Sequence, residues 1–547
     1  MKMVKSLILG SAAGLLAMSG AQAADLPVKA KPVEYVKICS LYGAGFFYIP
    51  GTDTCIKLGG YLRVDTTFNG NVYDGPAWSG SLGAGDRFAD FINSRSRMAL
   101  TVDTRTATEY GVVRTFTQID AQFQNFGTQN GNAASSGPGG GIGASGAGGQ
   151  AVSAGQLSGL GSGVLSNPGG GYVAVEFVFI QFAGFTFGKS ASAYATPWHG
   201  YPGNNTSFLI GGHDTVTGVN NIQYTWQFGN GVSGTIGLDD PTVFNRTALY
   251  NLSTGLGGNG LGTTAYGGFV VPDVVGNIRV DQAWGLFQVS AAAHSVNPSY
   301  NSLVAFNVPT GGATATTDSI LSGHPESKLG GSVMVALQIK NIPTGAGDDI
   351  KMDATWAKGD TKNVISTSAA SPSFAMVGGV PGQFGPNRTY GFGATTDGVW
   401  LPTFAPFGGA PFFGDGSIHL TESYGFRGAF NHNWDPYWST SLFGGIGFVR
   451  YDGVAKNAFC QVFNLNHPGL NVSYTCNPDF NVAQIGVVTR WTPVKNLTFS
   501  GELLYTNLDQ KFSGFSTFTP GAPQPTQVWT FHDQSTLALN LRVQRNF

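Results

Sequence analysis

Aliphatic and polar residues alternate with a period of two along many short stretches of this 547-residue chain. At the C-terminus Leu537, Leu539, Leu541 and Val543 share one face, with Asn540, Arg542, Gln544 and Asn546 on the other, before Phe547. A period of two sends successive side chains to opposite faces of a strand. Oil on one face with Arg, Asn and Gln on the other suits a strand between lipid and water. Sixteen such stretches are predicted as strands: 57–68, 93–104, 109–124, 172–182, 185–189, 218–228, 232–239, 275–283, 286–294, 328–340, 349–358, 418–431, 437–451, 479–492, 496–509 and 534–547.

The connections fall into two alternating size classes. Short ones lie at 105–108, 183–184, 229–231, 284–285, 341–348, 432–436 and 493–495. Long ones lie at 69–92, 125–171, 190–217, 240–274, 295–327, 359–417, 452–478 and 510–533. Strict alternation predicts an all-β, 16-stranded antiparallel transmembrane β-barrel, with tight turns in the periplasm and long loops outside. About eleven residues at ~3.3 Å each, tilted by ~45°, rise roughly 25 Å, which matches a lipid-facing band. Stacked soluble sandwiches would have no reason to segregate their loops by end.

Lys2 and Lys5 precede an apolar run from Leu7 to Met18, and Ala21-Gln22-Ala23 follows, so residues 1–23 read as a cleaved signal peptide. Residues 24–56 read as a periplasmic N-terminal segment and 57–547 as the barrel. No other segment is apolar and long enough for a membrane helix, so insertion falls to strands. With 81 Gly, 39 Phe and only 11% charged residues, the composition excludes a disordered chain. A formal charge of -2 argues against a nucleic-acid partner. An exported chain meets oxidising conditions, so the four cysteines are expected in disulfides. Of three possible connectivities, the neighbouring pairs Cys39–Cys55 and Cys460–Cys476 are expected.

Chemistry beyond a pore finds little support. The eight histidines form no HExxH, no nucleophile-elbow GxSxG is present, and Asp415 alone is not a calcium site. No enzyme activity, cofactor or metal is expected. The glycine-rich stretch 127–171 has neither a following Lys-Ser/Thr nor acidic residues, and reads as a surface insertion. Alternation instead turns Arg63, Arg95, Arg97, Arg114, Arg427, Arg490 and Arg542 toward the lumen, because an arginine facing mid-bilayer costs about 2–4 kcal/mol. The competing role for each is pairing with Asp65, Asp103, Asp120, Glu176 or Glu502 to stiffen the wall. Loop 190–217 carries Tyr194, Trp198, His199, Tyr201, Phe208 and His213, and is expected to fold inward as a constriction. Its Asp214 would then face the arginines, with a pair energy of only about 0.5 kcal/mol at ~8 Å in water.

These residues carry a resemblance. Ala24-Asp25-Leu26-Pro27-Val28-Lys29, Gly60-Tyr61-Leu62-Arg63, Val102-Asp103-Thr104-Arg105, Thr108-Glu109-Tyr110-Gly111, Gln181 to Lys189 and the final Phe547 resemble the alphaproteobacterial general porins of the Rhizobium and Brucella type. The resemblance implies a homotrimeric outer-membrane channel of a Gram-negative cell, in contact with lipid and lipopolysaccharide, that passes small hydrophilic solutes by diffusion. It implies that 190–217 forms the constriction and that Phe547 signals to the barrel-assembly machinery. The glycine-rich second loop and the long sixth loop depart from the family pattern. The competing function is a structural or adhesive barrel acting through the external loops 125–171 and 359–417.

Overall fold

The computed structural model describes residues 37–70, 91–124, 172–198, 200–213, 217–241, 247–257, 260–262, 264–301, 324–366, 371–379, 388–403, 405–407, 410–412, 414–467, 473–520 and 525–547. The chain divides into two compact units, 1–56 and 57–547. In the first, Cys39 is bridged to Cys55, and Phe47–Tyr48 pairs antiparallel with Cys55 and Ile56. The small core there is Cys39, Phe46 and Cys55.

The second unit is a barrel of sixteen antiparallel strands, the first of which starts in the last three residues of the first unit: β1 Thr54–Phe68, β2 Ile92–Thr108, β3 Gly111–Gln124, β4 Tyr172–Phe182, β5 Phe185–Ser190, β6 Val219–Gly229, β7 Val232–Asp239, β8 Asp273–Gln282, β9 Gly285–Val296, β10 Lys328–Lys340, β11 Asp349–Lys358, β12 Glu422–Asn433, β13 Trp438–Arg450, β14 Phe480–Val494, β15 Leu497–Gln510 and β16 Gln534–Asn546. Each strand pairs with its sequence neighbour, and β1 also pairs with β16, with Val64 opposite Val543. That last ladder closes the sheet and removes its edges. The terminal backbone completes the seam, since Phe547 exchanges N–H···O bonds with Gly60 at 3.1 and 3.2 Å.

Period-two patterning shows directly in the exposure. Leu62, Val64, Leu442, Ile485 and Leu541 face outward, each between 46% and 57% exposed, while their neighbours in sequence turn inward. At the end with short turns the outer surface carries Trp226, Phe228, Trp284, Trp434, Tyr437 and Trp438. Such an aromatic girdle marks a membrane–water boundary. It was readable in the sequence as an aromatic residue beside nearly every short turn.

All sixteen expected strands are present, with ends shifted by a few residues. The short connection expected at 105–108 is strand instead. The β-branched residues Thr104 and Thr106 extend β2 to Thr108, Arg105 pairs with Arg114, and the turn falls at 109–110. Four other turns move by one to two residues, to 230–231, 283–284, 434–437 and 495–496. The two-residue break at Asn230-Gly231 holds both residues at positive φ, 51° and 73°, which is the backbone a tight hairpin needs.

The larger departure lies in the connection expected as loop at 452–478. It contains helix α1, Gly453–Asn466, capped by the Asp452 side chain, which accepts the N–H of Ala455 at 2.7 Å. Ala455, Ala458, Phe459, Val462 and Phe463 form its buried stripe, a helical spacing the sequence carried in plain sight. The Cys460–Cys476 bridge fastens the helix to the returning chain.

Candidate functional site

The barrel's inner face is organised by one loop. After β5 the chain at 191–218 leaves the wall and is held by both sides of the lumen. On the near side, Asn277 of β8 and Gln288 of β9 donate to the carbonyls of Ala193 and Ala195 at 2.6 and 2.7 Å. On the far side, Asn431 of β12 donates to Pro202 O at 3.1 Å, and Gln484 of β14 accepts the N–H of Ile210 at 2.9 Å. Glu502 of β15 accepts the N–H groups of Asn205 and Thr206. The loop's aromatic residues Tyr194, Trp198 and Phe208 are buried, as expected of an apolar segment that folds inward. His213 is buried too, and burial, together with Lys362 and Arg427, lowers its pKa well below the ordinary range.

Glycine makes the fit possible. A Cβ on Gly445 of β13 would run into the carbonyl oxygen of Ile210, and one on Gly212 into the carboxylate of Asp353. At Gly445 loop and wall meet backbone to backbone, and at Gly212 the loop backbone lies against a wall side chain.

The seven arginines expected to face inward all lie opposite the outward apolar residues, and they divide into two groups. Arg95 and Arg427 are 2% and 0% exposed, and Arg97 and Arg542 are each 8%. Arg95 lies 2.7 Å from Asp65, which Arg542 also contacts. Arg97 lies 2.8 Å from Asp120 and 3.9 Å from Glu176. Arg427 lies 2.9 Å from Asp353 and donates to His213 O. These four stitch strands to each other or to the loop. Arg63, Arg114 and Arg490 are partly exposed. Arg63 donates to Gln544 at 2.8 Å, Arg114 pairs with Asp103 at 2.9 Å, and Arg490 reaches Gly203 O and Ser441. Asp214 and His199 lie outside the described residues.

Sequence reasoning missed how the inward loop continues into the external ones. Phe208 and Ile210 join a single apolar cluster with Val364, Ile365, Phe374 and Phe392 of the sixth connection, Phe459 and Phe463 of α1, and Phe480 and Leu508 at the strand ends. The apolar residues of 359–417 pointed to such burial, because aromatic side chains in a long segment rarely stay in water.

Residues 25–539 match the porin subfamily. Over 302 residues the chain is 34% identical to porin Omp2b of Brucella abortus (strain 2308), covering 54% of this chain and 66% of that relative. Porin Omp2b of Brucella suis is 33% identical over 300 residues, 54% of this chain and 67% of the relative. The match thus spans about two thirds of these relatives' length. The outer membrane channel DcaP of Acinetobacter baumannii shares the fold with a TM-score of 0.51 at 14% identity, covering 91% of this chain and 99% of that one. A family match over residues 25–539, on a closed sixteen-strand wall with an inward loop, leaves one conclusion: this chain belongs to the porin subfamily.

Proposed function

We propose that the barrel is a water-filled channel of the outer membrane that passes small hydrophilic solutes and ions by passive diffusion. The observation that carries this reading is the loop 191–218, fixed from both walls so that it narrows the lumen at a set place. A channel needs such a rigid, polar constriction, because a pore selects by its diameter and its lining charges. Arg63, Arg114 and Arg490 border the path, while Arg95, Arg97, Arg427 and Arg542 hold the wall and the loop in place. The channel assembles as a homotrimer, and Phe547 serves barrel assembly. Resemblance to the general porins supports both statements.

The adhesive reading draws less support. Phe374, Tyr390 and Phe392 of the sixth connection, which would make a sticky surface, are packed inside. Planar-bilayer recording from folded, purified protein decides the matter. Stepwise KCl conductance is expected, and its absence overturns the reading. Native mass spectrometry in mild detergent tests the trimer.

A further inference from the structure

The inward loop is bonded along β8 to β16 and rejoins the wall where Gly218 donates to Glu176 O of β4 at 3.1 Å. From there toward the short-turn end, the inner face of β3 runs Asp120, Gln118, Phe116, Arg114, and that of β4 runs Phe177, Phe179, Gln181. Phe116 lies opposite Phe179 in the ladder, and their rings stack with centroids 5.4 Å apart. Phe177 backs Phe116 edge-on at 6.4 Å and is buried, whereas Phe116 and Phe179 stay partly exposed. Four residues separate Phe116 from Asp120, which on a tilted strand sets the rings roughly 10 Å nearer the short turns. Two water-facing rings are out of place on a wall of amides, hydroxyls and charges, because apolar surface left in water costs free energy.

A cationic cluster borders the rings on the short-turn side. Arg114 sits over Phe116 and Phe179, its guanidinium carbon 5.2 and 5.5 Å from their centroids. Arg105 faces it across the ladder of β2 and β3, and the two guanidiniums bond one carboxylate, Asp103, at 3.0 and 2.9 Å. Two cations against one anion leave a positive excess. Nearby charge does not cancel it. Gln118 and Gln181 are neutral, Asp120 is held by Arg97, Glu109 is exposed in the turn, and the first two charged residues of adjoining β1 are Lys57 and Arg63. The side chains of Arg105 and Arg114 are 29% and 28% exposed, so both reach water. A guanidinium has five N–H groups, and Asp103 and Gln181 take three of those on Arg114. The other two can meet a solute.

We propose that Phe116, Phe179, Arg105 and Arg114 form a binding strip for aromatic carboxylates on the short-turn side of the constriction. The proposal rests on the channel reading above and names a solute class for it. A flat ring lies against the two phenylalanines while its carboxylate accepts from the guanidiniums, a charge-assisted bond. An aliphatic acid or an inorganic anion meets the cations without using the rings. A neutral aromatic solute meets the rings without using the cations.

The test uses the full-length folded protein and benzoate, with acetate supplying the charge without the ring and benzamide the ring without the charge. In detergent, saturation-transfer NMR should show saturable benzoate binding above the signal from empty micelles, at least fivefold tighter than either control. Phe116→Leu with Phe179→Leu keeps apolar bulk and removes the flat faces, and should bring benzoate down to the acetate level. Phe116→Leu alone is the milder second variant and should do part of this. Arg114→Gln should bring benzoate to the benzamide level. In bilayers, benzoate should interrupt the KCl current saturably at concentrations where acetate does not. Benzoate that binds no better than acetate and benzamide overturns the strip, as does undiminished benzoate binding by the folded variants. Saturable binding that needs both ring and charge, in a barrel that never conducts, would keep the strip and sink the channel.

Discussion

Glu502 on β15 accepts the backbone N–H of Thr206 at 2.9 Å, and with its other oxygen the N–H of Asn205. One carboxylate from the far wall thus holds the tip of a loop that begins across the lumen. Each charge-assisted hydrogen bond of this kind is worth about 1.5–3 kcal/mol. Glu502→Ala removes both and leaves two N–H groups unsatisfied. The expected outcome is a freed tip: larger, noisier single-channel conductance, and faster chymotrypsin cleavage near Tyr201 and Phe208. Glu502→Gln should fall between wild type and Glu502→Ala, since it keeps an acceptor. Conductance and cleavage rates equal to wild type in Glu502→Ala would show that the loop is seated without it.

Gly445 tests the same seating by sterics rather than polarity. Its missing side chain makes room for the carbonyl of Ile210. Gly445→Ala forces either the loop or β13 to shift, and overpacking of that kind costs typically 1–3 kcal/mol. Conductance should rise and thermal stability should drop. Gly453→Ala is the control, because a Cβ there meets nothing within 4 Å. If both variants behave alike, the close approach has no mechanical role.

Arg427 and Asp353 form a pair in which both side chains are 0% exposed. Removing one member of such a pair strands a buried charge and costs about 3–5 kcal/mol, whereas removing both together is far milder. Arg427→Met alone should lower the urea midpoint of the folded barrel sharply, and adding Asp353→Asn should restore most of the loss. The remainder measures the bond from Arg427 to His213 O, which the double variant cannot recover. Additive losses would refute the coupling.

The wall was legible in the sequence because its cause is local. Alternation such as Leu541-Arg542-Val543 states which face meets lipid, and no tertiary knowledge is needed to read it. The disulfide pairs followed from proximity in the chain, and both are formed. What alternation could not say is what an inward residue meets there. Arg95 and Arg63 lie on the same inner face, yet one is locked against Asp65 and the other is partly open. That difference depends on which strands lie beside them and where the loop passes. The external loops were hardest to read, because their order comes from packing between distant segments, as when Phe208 meets Phe459 in one cluster. Helix α1 carried a local signal, but it sat in a connection where only loop was expected.

Asp397 gives the external loops a dependence on pH. It accepts the N–H groups of Thr361 and Thr247 at 2.9 and 3.1 Å and the Tyr266 hydroxyl at 2.7 Å, so it ties the sixth connection to the segment after β7. Burial pushes its carboxyl above the usual carboxylate range, against the pull of His294 and these donors. Asp360 close by is raised for the same first cause. A folded-state value above the unfolded one means the native loops hold the proton more tightly. Their stabilisation is complete below the unfolded carboxylate value near 4 and is lost as pH rises through the folded value. Hydrogen exchange in 388–403 should therefore quicken as pH rises above about 4, beyond the intrinsic rate increase. Asp397→Asn, which keeps the shape and never ionises, should flatten most of that slope and leave the part due to Asp360. A corrected exchange profile that stays level in wild type, or slopes equally in the variant, would show that ionisation of Asp397 does not loosen the loops.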